Sequence, residues 1–538
     1  MGRAITYAVV MLALVAGSAL RVQGGEKELK PEFHTSDRCF ACHNELTTQS
    51  GRDISIGLAW RSSIMANAAR DPYWQASVRR ESIDHAPATK EIENECSTCH
   101  MPVTHYESKV DGKLGEIFKY LPFDGDNKNS SAAADGVTCS ICHQISNEKL
   151  GTRKSFNGGF VVAPPKAKDD RPEYGPFDVT PDRQHIMDTS TGGFQPTAAK
   201  HIRDSALCGS CHQLYTTARD AEGKEIGYLP EQMPYLEWKH SDYPERYSCQ
   251  ECHMPEVKEA VHISSVLGVP RTGMHQHVFV GANFLMQGIL NRYRDELAVA
   301  ALPQELTTAA EGTLAFLESQ SAQVRIHDVA LEGSTLRLQV SVQNRSGHKL
   351  PTAYPARRAW LHVTVRDRNG NAVFESGKLN ADGSIAGNAN DSDPLQYEPH
   401  FREITSADQV QIYESILRDS AGHVTTGLIA AVGYLKDNRI LPTGFDKQTA
   451  EKDIAVVGDA ADDPKFAAGQ DSVQYSVAVN GTGPFHIEVE LLYQPIGFRW
   501  AHNLGFYKAF ETERFVGYYD SMASQAAAVL AKAEANSE

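Results

Sequence analysis

The ten cysteines of this chain occur only as five pairs, each followed directly by a histidine in the pattern C-x-x-C-H. The motifs are Cys39, Cys42 and His43; Cys96, Cys99 and His100; Cys139, Cys142 and His143; Cys208, Cys211 and His212; and Cys249, Cys252 and His253. Two thiols at this spacing lie on one turn of backbone and reach the vinyl groups on one edge of a porphyrin, and the next imidazole ligates the iron. The pattern therefore predicts five covalently attached haem c groups.

Other uses of paired cysteines do not fit this pattern. A zinc ribbon needs two C-x-x-C pairs for each metal ion and no fixed histidine, and five pairs cannot all be matched in that way. A thioredoxin-like redox pair is a single motif beside a βαβ unit. Structural disulfides do not need a histidine after every second cysteine. Haem attachment remains the interpretation for all ten thiols.

Each haem iron has a second axial position, which a histidine or a methionine can fill. Of the 21 histidines, five belong to the motifs. Nine others lie in the same part of the chain: His34, His85, His105, His185, His201, His240, His262, His275 and His277. Histidine or methionine at this position saturates the iron and suits it for electron transfer, whereas an open position indicates small-molecule chemistry.

Two of these histidines are the first candidates for distal ligands. His201 lies seven residues before Cys208, on a predicted helix over 197–207, and we expect it to serve a neighbouring haem. His277 follows the last motif, and it shares a face with His275 if that stretch is extended, so only one of the two is needed.

Two further candidates are His105, just after the second motif, and Met65, on a predicted helical stretch over 60–70 that ends before Asp71 and Pro72. For any single histidine the alternative interpretation is a solvated surface residue.

The part of the chain that follows the motifs has another character. Two helices are predicted over 283–302 and 304–320, and from about Val324 apolar and polar residues alternate with a period of two. Strands are predicted over 336–343, 359–365, 372–375, 473–479 and 487–491, with an Asn-Gly turn at 480–481 joining the last two. Alternation of this kind is typical of a β-sandwich.

One loop in this β region contains a further candidate ligand. His348 lies in the segment 344–352, directly after a predicted strand and before Pro351. If the loop packs on the motif-bearing region, His348 could be a distal ligand, and the β region would then close one haem site. The alternative is an ordinary hairpin loop with an exposed histidine.

The expected architecture is α+β and multidomain. A region of short helices and loops wrapped around haems is followed by an antiparallel β-sandwich and a C-terminal helix. The expected divisions are a signal peptide at 1–25, a pentahaem domain at 26–282, a helical linker at 283–322, a β-sandwich at 323–500 and a C-terminal helical segment at 501–538.

The N-terminus and the charge indicate compartment and partners. Arg3 precedes a short apolar run over 8–19 and then small residues, which is typical of a secretory signal; a retained membrane anchor is the alternative. Formal net charge is −16, which argues against nucleic acid and against anionic lipid. We expect an exported protein, periplasmic or at the cell surface, without stable membrane insertion, whose partners are other redox proteins. The charge also serves solubility.

At these motifs the chain resembles a family of bacterial multihaem c-type cytochromes related to the tetrahaem cytochrome c electron-transfer group. The similar segments are 65–74, the CHMP runs at His100 and His253, 136–139, His201, His277 before 279–281, and 347–352. The resemblance spans most of the mature chain. It implies periplasmic or extracellular electron transfer through closely stacked haems, with Met65, His201, His277 and His348 at positions used around the haems.

Three functions remain open at this point. The first is an electron carrier with all irons six-coordinate, which needs no catalytic residues. The second is an oxidoreductase of the nitrite or hydroxylamine type with one five-coordinate haem, although the chain lacks a C-x-x-C-K motif. The third is a filament subunit that stacks haems across protein boundaries, for which His34 could supply a ligand to the next subunit. Oligomeric state is not predicted.

Overall fold

The computed structural model describes residues 33–123, 130–162, 171–480 and 483–537. The predicted signal segment at 1–25 therefore lies outside the described residues. Within the described ranges, none of the helices combines the length and the apolar character needed to cross a bilayer.

The motif-bearing region consists of short helices and two-stranded sheets. Its helices are α1 Asp37–His43, α2 Ile56–Arg61, α3 Pro72–Asp84, α4 Thr89–His100, α5 Pro102–Val110, α6 Ser131–Ala134, α7 Cys139–Gln144, α8 Pro181–Thr191, α9 Ser205–Gly209, α10 Pro234–Lys239 and α11 Cys249–His253. Its strands are β1 Arg171–Gly175, β2 Phe194–Ala198, β3 Leu214–Arg219, β4 Glu225–Gln232, β5 Glu256–Val257 and β6 Met274–His275. They pair as β1–β2 (parallel), β3–β4 and β5–β6.

The motifs adopt helical turns. Four of them lie entirely within α1, α4, α7 and α11, and the fourth motif begins in α9. A helical turn places residues i and i+3 on one face, so both thiols of a motif point the same way. Local caps begin these helices: the Thr138 hydroxyl accepts from the Ile141 N–H at the start of α7, and Ser248 with Glu251 forms a capping box at α11.

Two predicted helices in this region are not formed. Residues 197–207 are divided between β2, a 3₁₀ turn at Lys200–Arg203 and α9, because the backbone of β2 is paired with β1. The stretch 60–70 is helical only to Arg61, and turns lead to α3, where the Asp71 carboxylate caps the N–H groups of Tyr73 and Trp74.

Two helices follow the motifs, α12 Phe284–Arg292 and α13 Pro303–Gln320. The second agrees with the predicted helix over 304–320. The first is shorter than the predicted 283–302, since the chain turns after Arg292 and Ala298 has a φ of 52°, which a continuing right-handed helix excludes.

The β region contains two larger sheets and a smaller one. Its remaining elements are β7 Ala322–Glu332, β8 Thr335–Asn344, β9 Arg358–Arg366, β10 Ala372–Ser376, α14 Ala389–Ser392, β11 Glu403–Ile404, β12 Ile412–Tyr413, β13 Ser415–Asp419, β14 Val424–Thr425, β15 Ala431–Asp437, β16 Gln470–Ala478, β17 His486–Gln494, α15 Phe498–Leu504, α16 Phe510–Met522 and β18 Ala528–Asn536. The sheet orders are β10-β9-β17-β18 with β12 beside β9, β11-β16-β8-β7, and β14-β13-β15.

The two larger sheets are mostly antiparallel, and only the short β11 runs parallel to its neighbour β16. Alternate side chains of β8 and β16 from one sheet and of β9 and β17 from the other belong to a single apolar cluster. None of these sheets closes on itself. The molecule is therefore α+β, as expected from the sequence.

Strands β16 and β17 do not pair with each other, as the predicted hairpin would require; Gly481 of its turn lies outside the described residues. β16 pairs with β8, whereas β17 pairs with β9 and β18, so the two strands belong to different sheets. Period-two patterning predicts a strand and its buried face, but it does not specify the partner strand.

The predicted C-terminal helix is also incorrect beyond Met522. After α15 and α16 the chain forms β18, which pairs antiparallel with β17. Alanines favour a helix by intrinsic propensity, but Ala531, Ala533 and Ala535 alternate with polar residues and pack against the core from the sheet edge.

Strand β9 is buried on both faces, although its alternation predicts one polar face. Trp360, expected on the polar face, is fully buried in a second cluster with Ile385, Val410 and Leu492. Its Nε1 donates to the Gly377 carbonyl over 2.8 Å. The segment after β10 therefore covers the outer face of this sheet.

We expect Trp360→Ala to lower the free energy of unfolding by about 3–5 kcal/mol, because it removes a fully buried indole and leaves a cavity. Urea unfolding of the holoprotein, followed by far-UV circular dichroism, measures the change. The control is Leu395→Ala, since Leu395 is 61% exposed. Equal effects of the two substitutions would contradict the packing described for Trp360.

Candidate haem-binding site

All ten motif cysteines and all five motif histidines line one cavity of about 1360 Å³. Its wall is largely apolar, and the β region contributes to it through His348, Tyr354, Arg357 and Tyr493. Large, mostly apolar cavities with a few convergent polar groups are typical cofactor sites. Motifs spread along the chain thus meet in one space, and none of the ten thiols is in a disulfide.

Four of the five motif imidazoles are oriented by main-chain carbonyls. Nδ1 donates to a carbonyl oxygen in the pairs His43–Ile263 (2.6 Å), His100–Ala68 (2.9 Å), His143–Tyr174 (2.6 Å) and His253–Val280 (2.6 Å). Because a carbonyl only accepts, the proton is on Nδ1 and the Nε2 lone pair is free to ligate a metal. This is the arrangement that metal-ligating histidines commonly use, so these residues fit a haem iron.

Burial favours the neutral form of these rings. It lowers the pKa of His100 and of His212 to about 4, and it lowers the pKa of His43, His143 and His253 as well. An imidazole must be neutral to bind a metal.

Two motif histidines each face a second imidazole at a defined distance. The ring centroids of His143 and His277 are 6.3 Å apart with planes inclined by 17°, and those of His253 and His348 are 6.3 Å apart with planes inclined by 14°. A metal–nitrogen bond of about 2.0 Å plus about 1.1 Å to the ring centroid puts two imidazoles on opposite sides of one metal roughly 6.2 Å apart. The spacing of both pairs matches two axial ligands of one iron.

The second imidazole of each pair is oriented in the same way as the motif histidines. His277 Nδ1 bonds to the His275 carbonyl over 3.1 Å, and His348 Nδ1 bonds to the Lys349 carbonyl over 3.0 Å. Burial lowers the pKa of His277 to about 3 and that of His348 to about 4. Both therefore present a neutral Nε2 to the cavity.

The other predicted distal ligands divide into two groups. Met65 lines the cavity, and so does His275, whose Nδ1 bonds to the Met254 carbonyl over 2.6 Å. His105 and His201 do not line it. His105 Nδ1 bonds to Ser97 Oγ over 3.1 Å, and His201 Nε2 bonds to the Ile145 carbonyl over 2.8 Å. The ligand roles of Met65, His105 and His201 stay predictions.

His34, which could have supplied a ligand to the next subunit, packs against Ser140 and Phe194 of its own chain. Its backbone N–H donates to Ser140 Oγ, which in turn donates to the His34 carbonyl, and its ring lies 4.9 Å from that of Phe194.

Thiols of different motifs lie close enough inside the cavity to interact electrostatically. The pairs are Cys39 with Cys139, Cys99 with Cys211, and Cys208 with Cys249. In motif order, the first therefore lies beside the third, the second beside the fourth, and the fourth beside the fifth. Cys142 also interacts electrostatically with Cys211, which places the third motif near the fourth.

In two of these pairs, a serine just before one motif also bonds to the main chain of the other motif. Ser36 and Ser205 each lie three residues before the first cysteine of a motif. The Ser36 hydroxyl accepts from the Cys139 N–H over 3.1 Å, and the Ser205 hydroxyl accepts from the Cys249 N–H over 3.0 Å. The same serine-to-backbone hydrogen bond thus joins the first motif to the third and the fourth motif to the fifth. A serine three residues before the first cysteine was the sequence signal that could have predicted these links.

Trp74 also belongs to the site, although the motif analysis did not single it out as a contact. Its ring stacks on the His100 imidazole with centroids 4.4 Å apart and planes within 3°. The carbonyls that orient the motif histidines have no sequence signal, because every residue type has one.

A separate cluster in the β region contains His400, Asp463 and Asp471, all buried, with ligand atoms close enough to surround a metal ion. Gln411 Nε2 and Asn438 Nδ2 donate to His400 Nδ1 over 2.8 and 3.1 Å. The ring proton is therefore on Nε2, which faces the carboxylates and has no lone pair for a metal. These groups satisfy one another as a hydrogen-bonded network.

Glu231 is a buried carboxyl in the cavity wall, where Thr216 Oγ1 and Gln232 Nε2 donate to it. Burial raises its pKa from 4.5 to about 7. Below pH 4.5 both folded and unfolded states are protonated, and between pH 4.5 and 7 only the folded state keeps the proton. The contribution of this group to the free energy of unfolding is therefore greatest at low pH. It falls as pH rises from 4.5 to 7, by about 3 kcal/mol in total.

We expect Glu231→Gln to flatten this dependence between pH 5 and pH 7.5, measured by urea unfolding at both values. Glu225→Gln is the control, because Glu225 is an exposed carboxylate on the same strand. An unchanged pH dependence in Glu231→Gln would contradict the protonated state of Glu231.

Comparison with protein-family models and with curated proteins finds no match. Among solved structures, the chain is similar to a penta-heme cytochrome c552 from Thermochromatium tepidum, with a TM-score of 0.52 and 14% sequence identity. The similarity covers 94% of this chain and 98% of that chain. At this identity the similarity concerns the fold alone, and it does not confirm the predicted relation to the tetrahaem cytochrome c group. The chain has the fold of a multihaem cytochrome.

Proposed function

We propose that this protein is an exported pentahaem c-type cytochrome that transfers electrons through closely spaced haems. The observation that carries the proposal is the convergence of all five motifs on one cavity, where thiols of different motifs lie close enough to interact electrostatically. Each haem, when bound, supplies an iron that alternates between ferric and ferrous states.

The chain itself holds and orients these groups. The ten thiols supply the covalent attachment, and His43, His100, His143, His212 and His253 supply one axial nitrogen each. Each pair of thiols would mark the edge at which its porphyrin is attached, so motifs whose thiols lie close together would bring porphyrin edges near one another. The attachment sites accordingly form a series from first to third to fourth to fifth, with the second beside the fourth.

We expect five haems per chain in the mature holoprotein, measured by intact mass and by the pyridine haemochrome assay. Replacing both thiols of one motif, as in Cys249→Ala with Cys252→Ala, should remove one haem and leave the other four. Fewer than five haems in the unmodified protein would contradict the assignment of all ten cysteines.

Two distal ligands follow from the imidazole pairs. His277 is proposed as the second ligand of the haem held by His143, and His348 as the second ligand of the haem held by His253. Bis-histidine ligation keeps ferric iron low-spin and leaves no open position at these two haems.

We expect His277→Gly and His348→Gly each to convert about one haem per molecule to high-spin ferric iron, measured by electron paramagnetic resonance. Added imidazole should restore the low-spin signal, because it occupies the place of the deleted side chain. His423→Gly is the control, since this side chain is 69% exposed. A low-spin spectrum in both cavity variants would refute these two ligand assignments.

A second candidate function is an oxidoreductase with one open haem iron. It is favoured by one observation: among the described residues, His43, His100 and His212 have no second imidazole at the spacing found for the other two motifs. Met65 and His275 line the same cavity as potential ligands. Cyanide titration of the unmodified ferric protein separates the candidates, because a carrier with saturated irons should not bind it.

Export and partners complete the proposal. Haem attachment by C-x-x-C-H and the predicted signal segment favour a periplasmic or cell-surface location. The net charge of −16 favours a redox partner with a basic docking face, and it disfavours nucleic acid and anionic lipid as partners.

A further inference from the structure

The loop that carries His348 lies above a group of four buried charges. Lys349, Asp437, Arg439 and Glu237 have side chains that are at most 5% exposed, and their formal charges sum to zero. Lysine and glutamate are almost never buried to this degree unless they are paired. Lys349 directly follows His348, a proposed iron ligand, which suggests that the group has a role in the haem site.

The charges are connected in one continuous network. Lys349 Nζ donates to Asp437 Oδ2 over 2.7 Å and to the Ala455 carbonyl over 3.3 Å. Arg439 holds the same carboxylate through Nε and a terminal nitrogen at 2.9 and 2.8 Å. Arg439 also lies 3.1 Å from Glu237 Oε1. Each carboxylate therefore contacts at least one cation, without water access.

The network joins the β region to the motif-bearing region. Asp437 ends β15 and Arg439 follows it, whereas Glu237 lies on α10, which packs on the helix of the fourth motif through Tyr235 and Gly209. The Glu237 carboxylate also accepts from the Lys349 backbone N–H over 3.1 Å and from the Thr352 hydroxyl. Glu237 thus binds the loop on both sides of Leu350.

The backbone around His348 is fixed as well. The His348 carbonyl accepts from Asn344 Nδ2 over 2.8 Å, and Leu350 exchanges two hydrogen bonds of 2.9 Å with Ile440. The His348 ring then bonds through Nδ1 to the Lys349 carbonyl. Lys349 therefore holds the peptide that fixes the tautomer and direction of the His348 ring.

We propose that Lys349 and Glu237 are positioning residues, which hold His348 at the distance from His253 that axial ligation requires. This inference rests on the proposed function, because it takes His348 as a ligand. Without the Lys349 charge the network carries a net negative charge that cannot be solvated in place, so the loop must move to admit water. The His348 ring moves with the loop, and the iron held by His253 loses its sixth ligand.

The test uses Lys349→Met in the full-length holoprotein. We expect roughly half or more of one haem per molecule to become high-spin in the ferric protein, measured by electron paramagnetic resonance, with low spin restored by added imidazole. Lys436→Met is the matched control. Like Lys349, Lys436 is a buried lysine. It lies on β15 and pairs with Glu414 over 3.0 Å, but it does not contact the His348 loop. We expect it to lower stability and leave the spin state unchanged.

A charge-balanced variant separates position from stability. Lys349→Met combined with Asp437→Asn leaves one cation and one anion in the network, and we expect it to recover most of the low-spin signal. If Lys349→Met does not yield folded holoprotein, the isosteric Glu237→Gln provides the same readout, with a smaller high-spin fraction expected. An unchanged spin state in these variants, or an equal change in Lys436→Met, would overturn the positioning role.

His348→Gly distinguishes this failure from failure of the proposed function. If His348→Gly raises the high-spin signal while Lys349→Met and Glu237→Gln do not, only the positioning role is wrong. If His348→Gly leaves the spectrum low-spin, His348 is not a ligand, and both its proposed ligand role and the positioning role of Lys349 and Glu237 are wrong.

Discussion

The hydrogen bond from an imidazole Nδ1 to a main-chain carbonyl is the interaction on which the rest of this site depends. It fixes the tautomer and the direction of the ring, and so decides where a metal can be held. The acceptors are remote in sequence: Ile263 lies 220 positions from His43, and Ala68 lies 32 positions from His100. These motif imidazoles are therefore oriented only when segments from other parts of the chain have reached their places, which ties the geometry of the site to the completed fold.

The β region takes part in the site. Its core is continuous with that of the motif-bearing region, since Tyr73 and Tyr235 belong to the same apolar cluster as Val363 and Val489. Further contacts join the C-terminal helices to α3, where Arg79 forms a bidentate pair with Glu511 at 2.9 Å. A loop from this region can thus deliver His348 across from His253 without the freedom that a separately linked domain would have. Across the same boundary, Glu237 pairs with Arg439 and accepts a hydrogen bond from the Lys349 backbone N–H of this loop.

Periodicity and local chemistry predicted much of the secondary structure. β8, β9, β10 and β17 were located to within a few residues, because one buried face imposes an alternation that the sequence displays. The errors have a common cause. The partner of β17, the strand at 528–536 and the double burial of Trp360 depend on which remote segment covers each element. Local propensity carries no information on that point, and alanine-rich or alternating stretches are compatible with more than one partner.

The same division applies to the site. The prediction of haem attachment came from sequence alone, because thiol spacing and the adjacent imidazole are local properties of one helical turn. His277 and His348 were candidates on sequence grounds, but many histidines were, and only the structure distinguishes the two that face a motif imidazole at 6.3 Å from His105 and His201, whose rings bond elsewhere. The order of the motifs in space, the carbonyls behind the rings and the buried charges under His348 arise from contacts between remote segments. The predicted covalent attachment depends on neighbouring residues, whereas the proposed second ligands and the arrangement of the motifs depend on tertiary packing, since the groups involved come together only when the chain folds.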